Sequence, residues 1–96
     1  SVNDMAASMS GVMTNIGHKL GLYKAMAGTG AITPKQLAQK TNTKERYVLE
    51  WLNNQAAGGY VIYHSTARAY ELPDEHAMVL ANSESPVFMS PAFDLI

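Results

Sequence analysis

Apolar residues fall at positions 2, 5, 9, 12, 13, 16, 20 and 23, the three-and-four spacing that gathers side chains on one face of a helix. This predicts a helical N-terminal region over 2–27. Gly11, Gly17 and Gly21 interrupt it, each at a cost of up to about 1 kcal/mol relative to Ala, so a bend or break is expected near Gly21, and Gly28-Thr29-Gly30 ends the region. In Ile32-Thr33-Pro34-Lys35-Gln36, Thr33 takes the N-cap, Pro34 the first helical position and Gln36 the third, the parts of a capping box. The helix so started should run to about Lys40. Thr41-Asn42-Thr43 then makes a short turn carrying two possible N-caps for the next helix. In that helix Val48, Leu52 and Ala56 recur every four residues with Leu49 beside them, while Lys44, Glu50, Asn53 and Asn54 form the opposite face. Gly58-Gly59 stops it, giving a helix-turn-helix over 33–58.

The pattern then changes period. Tyr60-Val61-Ile62-Tyr63-His64 is rich in β-branched and aromatic residues, Ser65-Thr66-Ala67-Arg68 reads as a loop, and Ala69-Tyr70-Glu71-Leu72 as a return strand. Residues 60–72 are therefore expected to form a β-hairpin. Pro73 opens a short helix, Asp74 to Leu80, whose early carboxylates suit the positive end of the helix dipole. Ser85-Pro86 can cap another carrying Val87, Phe88 and Met89, which Pro91 should kink or end early; these are the C-terminal helices of 74–94. The order helix, helix-turn-helix, hairpin defines a mainly α fold with a small β-hairpin, the winged helix-turn-helix, here as a single domain over 1–96.

Composition narrows the function. With 96 residues the chain can close one core, and with no cysteine it has neither disulfides nor thiolate metal sites. The first residues lack the charged start and continuous apolar core of a signal peptide, and no window approaches a membrane span; a cytoplasmic location is expected. His18, His64 and His76 lie in three different elements, without metal-ligand spacing. No nucleophile-elbow sequence occurs, and no Gly-rich loop joins a strand to a helix. No catalytic, cofactor-binding or metal-binding residue is therefore assigned. The net charge is -1, with six basic residues against three acids over 1–67 and one against five over 68–96, so any basic face is modest.

Two uses of such a fold can be set against each other. A helix-turn-helix reads DNA with the start of its second helix, which makes Lys44, Arg46 and Tyr47 candidate DNA contacts, with Arg68 at the wing tip and Lys35 and Lys40 near phosphate. Across 33–58, however, four basic residues meet two acids, Glu45 and Glu50, a weak footprint for a phosphate binder. The other use is protein contact. Met5, Met9 and Met13 form a stripe that packs either in the core or on a partner chain, and they are the candidate dimer contacts. Trp51, four residues from Tyr47, is expected in the core rather than at an interface.

Leu20-Gly21-Leu22-Tyr23, Leu37-Ala38, Thr43, Glu45-Arg46-Tyr47-Val48 and Glu50-Trp51-Leu52 carry a further signal. It continues through Gln55-Ala56-Ala57-Gly58-Gly59-Tyr60-Val61, Tyr70-Glu71-Leu72-Pro73, Glu75-His76-Ala77 and Val79-Leu80-Ala81. Together these resemble the N-terminal winged-helix region of class I S-adenosylmethionine-dependent methyltransferases, a group often labelled methyltransferases or transcriptional regulators. The resemblance, over about residues 5–93, implies a non-catalytic accessory and dimerisation domain, a homodimer, and a catalytic domain beyond this segment that binds S-adenosylmethionine. The alternative is the DNA-binding domain of a transcriptional regulator.

Overall fold

The structure is a computed structural model that describes residues 2–82, with side chains from residue 11 onward. The helix expected after Ser85-Pro86, and Pro91, lie outside the described residues. The elements run α1 (Val2–Lys19), α2 (Leu22–Met26), α3 (Pro34–Thr41), α4 (Glu45–Ala57), β1 (Ile62–His64), β2 (Ala69–Glu71) and α5 (Asp74–Leu80). The expected break comes at Gly21, whose φ of 73° is a left-handed conformation that glycine adopts at little cost. It turns the chain so that α2 packs across both α1 and α3.

Helix α3 begins with the full capping box: the Gln36 N–H donates to Thr33 Oγ1 at 3.1 Å and the Thr33 N–H to Gln36 Oε1 at 2.9 Å. Asn42 ends it in the left-handed region at φ 56°. The start of α4 differs from expectation. Its N-cap is Lys44, with no side-chain cap, because the Thr43 hydroxyl is engaged with that of Thr41 at 2.7 Å and the Thr43 N–H returns to Ala38 O at 2.9 Å. Leu49, expected beside the apolar face, is exposed.

Strands β1 and β2 pair antiparallel, Tyr63 opposite Tyr70. Ile32 adds a bridge on the far side of β2, exchanging both N–H···O bonds with Tyr70 at 2.8 Å. One core joins α2, α3, α4 and the wing through Leu22, Met26, Leu37, Leu52, Val61 and Leu72. Trp51 belongs to it, at 3% exposure. The architecture is mostly helical with a two-stranded hairpin, as the pattern predicts.

Candidate functional site

The side chains that could meet a partner surround the junction of α1, α2 and α4. Beneath it lies a layer of aromatic and polar groups. The Tyr23 and Trp51 rings meet edge to face with centroids 5.0 Å apart, and the Trp51 Nε1–H donates to the Met13 carbonyl at 2.8 Å. Tyr23 donates its hydroxyl to Gln55 Oε1, and Gln55 is fully buried. Burial pushes the Tyr23 phenol up to about 12, and the neighbouring Tyr60 adds to this while a hydrogen bond with Thr14 opposes it. Burial and then the charge of Lys24 lower the His18 imidazole. These groups seat α1 and α2 on α4.

Above this layer is an apolar groove. Ile16 and Leu20 at the end of α1 and Leu22 of α2 form one wall; Val48 and Trp51 form the floor and Tyr47 the opposite wall. Thr43 and Lys44, just ahead of α4, also line it. Leu20 is 48% exposed and Tyr47 62%, so the groove opens to solvent. Val12, one helical step from Ile16, is 56% exposed and continues the apolar stripe along α1.

Of the DNA candidates, Lys44 and Tyr47 share this groove. Arg46 is exposed on α4 and does not line it. Arg68 stands at the wing tip with φ 51°, in the left-handed region unusual for a residue with a side chain. Lys35 and Glu45 line a shallow groove across the helix-turn-helix, and Lys40 donates to the Ala25 carbonyl at 2.8 Å. Met13 is partly buried against the core; the side chains of Met5 and Met9 lie outside the described residues. On the wing, His64 Nε2 and Glu71 Oε1 are 2.8 Å apart. Among the described residues no group of three His, Cys, Asp or Glu could hold a metal ion. Sequence reasoning missed Val12, Ile16 and Leu20 as exposed apolar residues: their stripe has the ordinary width of a core-facing one, but α1 turns Thr14 and Gly17 to the core instead.

The Rv2258c-like winged HTH domain matches over residues 7–82. The chain belongs to this family. As a winged-helix domain it also resembles a solved structure, PigF with SAH, at a TM-score of 0.76 and 19% sequence identity, over 97% of this chain. The chain spans 26% of that protein's length. No curated protein matches the winged-helix chain in sequence. At this identity the likeness establishes a common fold.

Proposed function

We propose that this winged-helix chain is a non-catalytic accessory domain of an S-adenosylmethionine-dependent methyltransferase in the cytoplasm, and that it pairs with a second copy through its N-terminal helices. The observation that carries the reading is the likeness to PigF with SAH, which takes in almost the whole chain and about a quarter of the other protein. SAH, S-adenosylhomocysteine, is what remains of S-adenosylmethionine after its methyl group has been given away. The described residues do not fit that cofactor. The described strand-to-helix connection, from β2 into α5, is Leu72-Pro73, without glycine, whereas the cofactor's usual cradle is a Gly-rich turn between strand and helix. Methyl transfer therefore belongs to the remainder of such a protein, and this domain contributes by burying apolar surface.

Pairing would cover the Met5, Met9 and Met13 side of α1 and the exposed Val12 beside it. A second reading, as a DNA-binding regulator domain, is favoured by the exposed positions of Arg46 on α4 and Arg68 on the wing. Against it, Glu45 and Glu50 are exposed on that same helix, and apolar side chains flank its first turns.

Fluorescence anisotropy with a labelled random-sequence duplex, at low and near-physiological salt, separates the two, and sedimentation equilibrium gives the subunit number. The accessory reading expects a dimer and no retention of duplex at low salt. A monomer that binds duplex tightly, with affinity falling steeply as salt rises, would overturn it.

A further inference from the structure

We propose that the groove between the end of α1 and the start of α4 is a binding site for a small amphipathic carboxylate, its apolar body lying on Trp51 and its anionic head beside Lys44. This goes beyond the accessory role and requires that pairing of two copies leave the groove open. The groove encloses about 280 Å³. At roughly 30 Å³ per heavy-atom group, the share of a water molecule in the liquid, that volume admits on the order of ten groups. An aliphatic or aryl chain of that length, lying over the buried Val48 and Trp51, covers Ile16, Leu20 and Tyr47 and removes their exposed apolar surface from water.

The charge of the ligand follows from the lining of the groove. Among the described residues Lys44 is the only charged one that lines it, and it has no ion pair there. Its methylenes can lie along the apolar wall while the ammonium stays over the opening. Glu45, the adjacent acid, is not among the residues that line this groove; it lines the one that holds Lys35. The Thr43 hydroxyl is turned to Thr41. Among the described residues no acid lines the groove, so a cationic head would find no counter-charge from them and an anionic head finds Lys44.

Trp51 is the chain's single tryptophan and lies in the groove floor, so its emission reports occupancy. The whole chain is titrated with octanoate, with octanamide as the neutral control and octylammonium as the cationic one, all below their aggregation limits. Octanoate is expected to give a saturable change in the millimolar range, octanamide a weaker one and octylammonium none. Lys44→Gln should weaken octanoate about two- to fivefold, to the level of octanamide, and leave octanamide unchanged, the size expected for an exposed ion pair. Leu20→Trp would confuse the signal, so Leu20→Phe is used to fill the groove, and it should weaken both. Equal responses to all three compounds, no saturable response to octanoate, or an octanoate affinity untouched by Lys44→Gln would each overturn the proposal. So would sedimentation data showing that a dimer excludes octanoate from the groove.

Discussion

Replacing Gly17 by Ala tests how closely α1 is seated on the core. A Cβ at that position would stand 2.5 Å from Trp51 Cζ2 and 2.6 Å from Tyr23 Cε2. Ordinary carbon contacts are about 3.5–4.0 Å, so the helix or both rings must retreat by about 1 Å. Neither ring is free to swing: Trp51 is tied to the Met13 carbonyl and Tyr23 to Gln55. Overpacking of a core typically costs about 1–3 kcal/mol, and the contact with two rigid rings places this site in the upper part of that range. The gain in helix propensity from Gly to Ala returns about 1 kcal/mol. The net expectation is a loss of about 1–2 kcal/mol, a fall in Tm of roughly 4–16 °C for a domain of this size. Urea and thermal unfolding, followed by far-UV circular dichroism and by Trp51 emission, measure it. Gly11→Ala is the matched control: no atom lies within 4 Å of its Cβ position, so it should gain up to about 1 kcal/mol. If Gly17→Ala proved as stable as the parent, or both variants moved together, the close seating of α1 would be refuted.

Tyr23→Phe removes the donor to Gln55 Oε1 in a site where Gln55 Nε2 already has no partner, and should cost about 1–3 kcal/mol in denaturant unfolding. The same variant has a pH signature. Because the folded state raises the Tyr23 pKa from 10.0 to about 12, its contribution to stability is complete below pH 10 and is lost as pH rises through about 12. Urea midpoints across that window should fall less steeply for Tyr23→Phe than for the parent, and equal slopes would contradict the assignment. Thr33→Ala removes one half of the capping box and should cost roughly 0.5–2 kcal/mol, with faster hydrogen exchange at the Gln36 amide as its local mark.

Features governed by near neighbours were legible in the sequence. The capping box needs only Thr33 and Gln36, the break at Gly21 only a residue that accepts positive φ, and the wing only a change of period from four to two. Trp51 was expected in the core, and it is there. Harder to see were choices that depend on distant packing. The two glycines in α1, Gly11 and Gly17, look alike in sequence, yet only Gly17 lies against Trp51 and Tyr23, residues that tertiary structure alone brings to it. Thr43 has the chemistry of a cap, and a competing bond to Thr41 removes it from that role. Leu49 fits the apolar face by spacing but falls where no other element covers α4. Of the candidate site, Lys44 and Tyr47 were recognised as surface residues, while their association with Leu20 could not be, since it joins residues more than twenty positions apart.

The paired bonds between Ile32 and Tyr70 have a practical meaning for anyone altering the protein. They make the base of the wing a three-stranded weave, anchored just ahead of the Thr33 cap, while the exposed turn from Ser65 to Arg68 is held from one side only. A fluorophore, protease site or peptide tag spliced between Thr66 and Ala67 would hang from the far end and leave both the hairpin register and α3 intact. The same insertion beside Ile32 would unstitch the wing and uncap a helix in one stroke.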